Sequence, residues 1–289
     1  MPSPSQPSGR SAAVTGAGGG LGRDIALGLA RKGYVVFGTA MSANEIEDLE
    51  AASDGRVRLA VCDISKESAV NAWTRSVSEE RGEAGLDLLI SNAGVLTPGP
   101  IEVLPLDAIR REFDVNVFGA VSVMNAFLPA LRKARGRIVQ VSTWTASVAL
   151  PFNGPSGASK AAMEVFADVY RAELESFGID VVVAVAGNMR TGGPAKTAAA
   201  LARVAESMTS EQRQLYGHAF AAFSTALNAM QSSGLESVAA AARVIELAEQ
   251  VPAPSRAPVG TDADQMLRAA REMTDPELDA LRLQLVGLG

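Results

Sequence analysis

The chain has 289 residues, of which 47% are hydrophobic and 20% charged, enough for one large domain with a substantial core. Its formal net charge of −6 and the lack of a basic run argue against a nucleic-acid partner, because lysine and arginine are what neutralise phosphates. The single cysteine, Cys62, excludes an intrachain disulfide and a thiolate metal cluster, so we expect no metal site and a reducing compartment.

The first residues are rich in proline and serine and match neither a signal peptide nor a transit peptide. We expect residues 1–10 to form a disordered tail and residues 11–289 to form a single domain. No uncharged apolar run reaches the roughly eighteen residues that span a bilayer. The sequence therefore predicts a cytoplasmic protein that does not associate with membranes.

From residue 11 onward, short β-branched segments alternate with longer helical patterns. The strand-like segments are SAAVTG, YVVFGTA, RVRLAVCD, LDLLISNAG, GRIVQVST and IDVVVAVAG, with one more short strand predicted around 257–259. Because these strands are apolar on both faces, the pattern predicts a parallel sheet with helices on each side. The predicted fold class is α/β with a single doubly wound sheet.

A glycine-rich segment, VTGAGGGLGRDIA, joins the first strand to the first helix. Gly16, Gly20 and Gly22 let the backbone turn tightly, approach a pyrophosphate, and pack the helix against the sheet. The alternative is a tight turn without a ligand, but the strand and helix on either side favour a phosphate cradle. The domain is therefore expected to be a dinucleotide-binding domain of the Rossmann type.

Six motifs in the same order make the chain resemble the short-chain dehydrogenase/reductase superfamily over about residues 10–260. The motifs are Thr15 to Gly22, Cys62-Asp63-Ile64, Ser91 to Gly94, Asn116 in FDVNVFGA, Lys160 in GASKAA, and Gly187 to Thr191.

The resemblance implies a set of cofactor-binding residues. It implies that Asp63 receives the adenine amino group, that the segment from Asn92 to Gly94 lines the adenosine side, and that Thr191 meets the nicotinamide carboxamide. Each of these has a plainer alternative, such as Asp or Asn capping a turn. The implied set is Thr15, Gly16, Gly20, Leu21, Gly22, Asp63, Ile64, Asn92, Ala93, Gly94, Lys160, Gly187 and Thr191.

The cofactor is predicted to be NAD or NADP, with a slight preference for NADP. An acidic residue at the end of the second strand selects NAD and a nearby arginine selects NADP, but here these positions hold Ala40 and Met41. Gly18 stands where many NADP-dependent members carry a basic residue. Thr39 and Ser42 offer hydroxyls to a 2′-phosphate, and no carboxylate at Ala40 repels it. A second interpretation is that tight cofactor binding has weakened or been lost.

The resemblance also implies a catalytic set of serine, tyrosine, lysine and asparagine. In this sequence Asn116 and Lys160 match, whereas Ser156 takes the tyrosine position and Thr143 the serine position. Thr143 keeps a hydroxyl that can donate to a carbonyl. An alkyl hydroxyl is a far weaker acid than a phenol, and Ser156 is shorter than tyrosine. A water held by Ser156, Lys160 and Thr143 could fill the gap.

The predicted function is therefore an NAD(P)-linked oxidoreductase that acts on a carbonyl or alcohol of a small molecule. Tyr216 and His218 are candidate substitute acids, although packing within a helix is the more common role of such residues. The alternatives are a non-redox catalyst (a cyclase, isomerase or lyase) or a pseudoenzyme on the same scaffold. A Ser156/Lys160 nucleophile and base pair is disfavoured, since no strained nucleophile turn is present.

Two further segments carry predictions. Residues 192–233 are rich in alanine and lack strand patterns, which predicts a helical cap over a mostly apolar substrate pocket. After Lys160, an apolar stripe that could be core is formed by Phe166, Tyr170, Leu174 and Phe177. Helices at this position in the resembled family pair with a partner subunit, so a homo-oligomer, dimer or tetramer, is expected.

Overall fold

A computed structural model describes residues 9–190 and 193–289. Most of the predicted N-terminal tail therefore lies outside the described residues. Within them, a seven-stranded sheet with strand order β3-β2-β1-β4-β5-β6-β9 forms the centre of the fold. All six neighbouring strand pairs are parallel. The strands are β1 (Ser11–Val14), β2 (Val35–Ala40), β3 (Val57–Val61), β4 (Leu88–Ser91), β5 (Arg137–Thr143), β6 (Asp180–Ala186) and β9 (Arg256–Val259).

Helices cover both faces of this sheet, which confirms the predicted α/β fold class. Alternate residues of each strand enter two separate hydrophobic clusters: Leu89 joins one and its neighbours Leu88 and Ile90 join the other. Both sides of the central strands are thus buried, which is why those strands read as continuous apolar runs, whereas the edge strand β3 exposes Arg58 and Val61. The helices are α1 (Gly20–Arg31), α2 (Asn44–Ala52), α3 (Glu67–Arg81), α4 (Leu106–Phe113), α5 (Ala120–Ala134), α6 (Gly154–Leu174), α7 (Gly193–Ser207), α8 (Ser210–Ser232), α9 (Ser237–Glu249), α10 (Thr261–Glu272) and α11 (Asp275–Leu285).

The order of strands creates the crevice in which a ligand would bind. From β1 the chain proceeds outward to β2 and β3, then crosses back to β4 on the other side of β1. The loops that follow β1 and β4 therefore lead to opposite sides and leave a gap between them at the carboxyl edge of the sheet. The glycine-rich loop follows β1, and the Asn92–Gly94 segment follows β4.

Helices α4 and α5 are joined by a π-helical turn, Asp114–Gly119, into one long helical segment. By length and composition alone, this segment, Leu106–Ala134, is apolar enough to cross a membrane. Half of its most apolar stretch is buried inside the protein, and Val123, Met124 and Phe127 are fully buried in the core. Packing against the sheet accounts for its apolar character.

The predicted cap segment contains two helices, α7 and α8. A small two-stranded sheet of β7 (Met189–Arg190) and β8 (Leu235–Glu236) precedes and follows them. Thr209 caps the start of α8 by accepting from the backbone N–H of Gln212. Phe152, in the loop before α6, packs between Phe220 and Phe223 of α8 and holds the cap against the body of the domain.

The apolar stripe predicted along α6 is only partly core. Tyr170 and Leu174 are buried, and the hydroxyl of Tyr170 donates to Asn125 Oδ1 at 2.7 Å. Phe166 and Phe177 are instead exposed, at 41% and 46%. Phe166 lies at the side of the buried face of α6, while Phe177 lies beyond the end of the helix in a 3-10 turn, Glu175–Phe177.

Candidate active site

The glycine-rich loop folds as a tight cradle between β1 and α1. Gly16 and Gly20 have φ angles of +67° and +54°, a region that side chains disfavour. A Cβ atom on Gly22 would overlap the carbonyl oxygen of Gly16 and lie 2.6 Å from Asn92 Nδ2. A Cβ on Gly16 would lie 3.1 Å from Ala93 Cα. The backbone here is packed so closely that only glycine fits at positions 16 and 22.

Thr15 ties this cradle to the loop after β4. Its buried Oγ1 accepts from the backbone N–H groups of Asn92 and Ala93 at 2.9 and 3.0 Å. In return Asn92 Nδ2 donates to the Thr15 carbonyl at 3.0 Å. Thr15 and Asn92 thus hold the two walls of the crevice at a fixed separation.

A cavity of about 610 Å³ opens between these loops. The side chain of Asp63 lies at its edge, and its Oδ1 accepts from the backbone N–H and hydroxyl of Ser65, which lowers the pKa of the carboxyl below its usual range. Thr15, Leu21 and Gly22 pack behind the cavity wall. The predicted cofactor-binding residues that line the cavity are Gly16, Gly20, Asp63, Ile64, Asn92, Ala93 and Gly94.

Thr39 does not present its hydroxyl to the cavity as a free group. Its Oγ1 accepts from the backbone N–H of Gly16 at 2.9 Å, and its carbonyl accepts from the N–H of Ala17 at 2.8 Å. The side chain is buried, with 2% exposed. The predicted contact between Thr39 and a 2′-phosphate therefore conflicts with its role in shaping the glycine loop.

Asn116 lies in the π-helical turn and is held by several partners. Its Oδ1 accepts from the N–H of Val95 at 2.8 Å, while Nδ2 donates to the Val95 carbonyl and to Ser159 Oγ, both at 3.0 Å. The turn widens the helix at this point, which directs the amide toward the loop after β4. Asn116 thus joins that loop to α6.

Glu112 lies one turn before Asn116 and is fully buried. Its Oε2 accepts from the N–H of Thr97 at 2.8 Å, and its Oε1 is 3.4 Å from Asn116 Nδ2. Burial raises the pKa of Glu112 to about 7, although the hydrogen bonds from Thr97 and the charge of Lys160 favour the ionised form. A titratable carboxyl therefore stands behind the asparagine.

Lys160 projects from α6 toward the same place. Its Nζ donates to the carbonyl of Val141 at 3.0 Å. Burial lowers the pKa of Lys160 to about 8, and the carboxylates of Glu112 and Glu164 act in the opposite direction. A Cβ atom on Gly94 would lie 3.2 Å from Asn116 Oδ1 and 3.6 Å from Lys160 Nζ. The fold thus brings Gly94, Asn116 and Lys160 into direct proximity.

The two adjacent hydroxyls at the end of β5 point to opposite sides. Ser142 Oγ donates to Glu164 Oε1 at 2.5 Å, and Glu164 also pairs with Arg256 of β9 at 2.6 Å. Ser142 is therefore engaged away from the crevice. Thr143 is only partly buried, and its Oγ1 is 3.4 Å from the Thr145 N–H. Of the two, Thr143 is the hydroxyl with capacity to meet a ligand.

Ser156 lies in the first turn of α6 and is partly buried. Its carbonyl accepts from Ser159 Oγ at 3.0 Å. The next residue, Gly157, lets the helix approach the segment after β5, since a Cβ there would lie 2.9 Å from the Thr145 carbonyl oxygen. The first turn of α6, which carries Ser156, therefore lies next to the turn that follows Thr143.

Gly187 is a predicted residue that does not line this cavity: it lies against the carboxylate of Asp262, where any Cβ would overlap it. Thr191 lies outside the described residues. Tyr216 donates its hydroxyl to Glu102, and His218 is exposed beside a cavity of the cap. The Tyr216 hydroxyl is thus engaged by Glu102, whereas the exposed ring of His218 lines the cap cavity and is not packed in the core.

Comparison with known proteins identifies the family. Residues 10–202 match the family described as short chain dehydrogenase. The chain belongs to this family. Retinol dehydrogenase 16 of Mus musculus is 33% identical to this short-chain dehydrogenase over 212 residues, 72% of this chain and 67% of the relative. Estradiol 17-beta-dehydrogenase 2 of Mus musculus is 34% identical over 62% of this chain and 48% of its own length. The chain thus spans about half to two thirds of these relatives.

Solved short-chain dehydrogenase structures share the fold over nearly the whole chain. One from Streptomyces avermitilis has a TM-score of 0.76 and 23% identity, covering 97% of this chain and 96% of that chain. One from Burkholderia cenocepacia J2315, in complex with NADP, has a TM-score of 0.73 and 25% identity over 96% and 97%. NAD⁺-bound xylitol dehydrogenase has a TM-score of 0.72 and 24% identity over 87% and 97%.

Three acidic residues in this short-chain dehydrogenase were not predicted as site residues: Glu45, which lines the cavity, and Glu112 and Glu164, which flank Lys160. A signal for the last two exists in the sequence. Glu112 precedes Asn116 by four residues and Glu164 follows Lys160 by four, so each shares a helix face with a motif residue. Glu45 has no such signal, because it precedes no motif at a helical spacing.

Proposed function

We propose that the protein is an NAD(P)-linked oxidoreductase that acts on the carbonyl or alcohol of a small molecule. The observation that carries this proposal is the position of Gly94. It lines the cavity beside the glycine cradle, and the space next to it is bounded by Asn116 Oδ1 and Lys160 Nζ. A dinucleotide held in the cradle would therefore extend toward the amide and the ammonium.

The residues of the cradle fit a nicotinamide cofactor. Gly16 and Gly22 leave the backbone open to a pyrophosphate, and the N-terminus of α1 favours negative charge. Asp63 would accept from the adenine amino group, and Lys160 would hold the ribose. A bound nicotinamide would supply or accept a hydride. A short-chain dehydrogenase solved in complex with NADP and an NAD⁺-bound xylitol dehydrogenase share this fold, which supports the assignment.

The proposed catalytic set is Asn116, Thr143, Ser156 and Lys160. Thr143 would donate to the substrate oxygen, and Lys160 would provide a proton through a water that Ser156 helps to hold. Because Lys160 has a pKa of about 8, its ammonium is a much stronger acid than a serine hydroxyl. Without a phenol we expect the chemical step to be slower by about 10²–10⁴ than with one.

An apolar substrate is supported by the cap. Between α7 and α8 the described residues line a cavity of about 670 Å³, and most of them are apolar, including Leu201, Met208 and Phe220. Phe152 packs against the same helix and lies four residues before Ser156, so the cap adjoins the start of α6. The relatives named for retinol and estradiol act on apolar alcohols, which agrees with this lining.

The proposal is tested by titrating the purified protein with NADH and NADPH and following the fluorescence of the nucleotide. Saturable binding that is lost in Gly22→Ala, but kept in Gly19→Ala, is the expected result. Gly19 is the matched control because a Cβ there meets nothing within 4 Å. Absence of binding of both nucleotides at about millimolar concentration would overturn the redox proposal.

Ser156 in the tyrosine position supports a second candidate, a non-redox catalyst or a pseudoenzyme on this scaffold. Here the cofactor site would persist without hydride transfer. The two candidates differ in one measurement. A redox enzyme oxidises bound NADH or NADPH when an apolar ketone is added, whereas the alternative leaves the absorbance of the reduced nicotinamide unchanged.

A homo-oligomer is also part of the proposal. Val165, Phe166 and Val169 are exposed on α6, and Phe118 is exposed on the π-helical turn that packs against α6. Exposed apolar groups clustered on one face are typical of a subunit interface. We expect two copies to pack through this face, with dimer or tetramer as the resulting state.

A further inference from the structure

Glu45, the second residue of α2, folds back over the end of β2. Its Oε2 accepts from the backbone N–H of Met41 at 2.9 Å. This places a carboxylate beside Ala40 and Met41, the two positions at which an acidic or basic selector of the cofactor is missing. The charge absent from the strand is thus supplied from the following helix.

The same carboxylate lies directly over the glycine loop. A Cβ atom on Gly18 would be 3.0 Å from Glu45 Cδ and would overlap Oε2. Gly18, Met41 and Glu45 line one cavity together with Gly16 and Gly20. Among the described residues, no hydrogen-bond donor occupies Glu45 Oε1, so this oxygen is available to a ligand.

Charge at this end of the cavity is negative. Arg111 is the one basic side chain among the described residues that line the cavity, and it lies near Asp63, whose pKa it helps to lower. Among the described residues, no cation lies within salt-bridge distance of Glu45, whose Oε2 accepts from the Met41 N–H.

We propose that Glu45 selects NAD over NADP by accepting a hydrogen bond from the adenosine ribose and by excluding a 2′-phosphate. A carboxylate accepts well from a vicinal diol but repels a phosphate dianion in a partly buried site. Glycine at position 18 leaves room for Glu45, since a basic side chain there would occupy the volume that the Glu45 carboxylate fills. This inference rests on the proposed function, in which the cavity holds a nicotinamide cofactor.

This placement reverses the cofactor preference that Ala40 alone indicates. The absence of a carboxylate on the strand favours NADP, and Thr39 was expected to assist the phosphate. Thr39 instead holds Gly16, and Glu45 supplies the carboxylate from a different element.

The test is a titration of wild type, Glu45→Gln and Asp48→Asn with NADH and with NADPH, followed by fluorescence. Gln keeps an oxygen for the Met41 N–H and removes only the charge. Asp48 is an exposed acidic residue on the same helix and is the matched control. We expect wild type to bind NADH at least about tenfold more tightly than NADPH, a difference of about 1.4 kcal/mol.

In Glu45→Gln the Kd for NADPH divided by the Kd for NADH should fall by about tenfold or more, chiefly because NADPH binds more tightly. Asp48→Asn should retain the wild-type ratio. A double variant, Gly18→Arg with Glu45→Ala, should prefer NADPH, whereas Gly18→Arg alone should bind neither well because Glu45 remains in place. The melting temperature of each variant reports whether it is folded.

The outcomes separate the two proposals. Wild-type preference for NADPH, or an unchanged ratio in folded Glu45→Gln and in Glu45→Ala, overturns the assignment of Glu45 and leaves the cofactor site intact. A ratio that changes equally in Asp48→Asn also overturns it, since net charge would then be the cause. Absence of binding of either nucleotide to wild type overturns both proposals.

Discussion

Gly22 in the first turn of α1 lies in contact with the carbonyl group of Gly16, and an added Cβ atom would be 2.8 Å from the carbonyl carbon. The contact joins the start of the helix to the turn that leaves β1. Two features follow from it: the helix N-terminus points into the cavity, and the loop has no freedom to move away.

Gly22→Ala should therefore distort the cradle as well as destabilise the fold. Overpacking of a rigid backbone contact costs about 1–3 kcal/mol, and here both neighbours are backbone or a held amide. We expect a lower midpoint in urea unfolding and loss of NADH binding. Gly19→Ala should leave both unchanged. Equal behaviour of the two variants would contradict the assigned contact.

Glu112→Gln should change how stability depends on pH. Burial raises the pKa of Glu112 in the folded state to about 7, above the ordinary value of 4.5, so the native state favours the protonated carboxyl. The contribution of the Glu112 carboxyl to the free energy of unfolding is fully present below pH 4.5, and it is lost as the pH rises toward 7. Relative to wild type, Glu112→Gln should gain about 1–3 kcal/mol between pH 4 and pH 8.

Urea unfolding at these two pH values measures this gain. Glu79→Gln is the control, since Glu79 is exposed on α3. If the unfolding free energies of Glu112→Gln and Glu79→Gln differ from that of wild type by the same amounts at both pH values, the pKa of Glu112 is not raised in the folded protein and the prediction is wrong.

Ser156→Tyr should restore a strong proton donor beside Lys160. If the remaining site is competent for redox chemistry, reduction of apolar ketones should rise by about 10²–10⁴. Ser156→Phe fills the same space without a hydroxyl and should give no gain. Steady-state rates of NADH or NADPH oxidation distinguish the two variants. Equal rates in both would remove Ser156 as the missing acid position.

Val169→Asp should weaken the proposed subunit contact. Val169 is 47% exposed on α6, within the apolar face that includes Phe166, and a buried unpaired carboxylate at an interface is costly. We expect sedimentation velocity to show a smaller species than wild type. Val238→Asp on α9, where Val238 is 62% exposed, should sediment as wild type does. A monomeric wild-type protein would refute the interface.

Much of the fold was predictable because both faces of the central strands are buried. Leu88, Leu89 and Ile90 of β4 form an uninterrupted apolar run for this reason, and the glycine spacing identified the strand to which the first helix belongs. The meeting of Asn116 and Lys160 was predictable only through resemblance to a family. Neither periodicity nor spacing relates a residue of one helix to a residue of another.

The acidic residues of the site were harder to predict. Glu45 reaches the cavity because α2 starts four residues after β2 and its side chain turns back to the N–H of Met41. This depends on a local turn that composition does not specify. Thr39 illustrates the opposite case, since its hydroxyl type suggested a ligand while the packed loop uses it internally.

The ion pair between Glu164 and Arg256 links α6, which carries Lys160, to β9 near the end of the sheet. The part of the chain that matches the family ends at residue 202, so the counter-ion comes from outside it. A fragment that retained every motif but stopped before β9 would keep a buried carboxylate one turn from Lys160 and would lack the arginine that pairs with it. The part of the chain that matches the family consequently depends on Arg256, which lies beyond it, for the charge balance of the helix that carries Lys160.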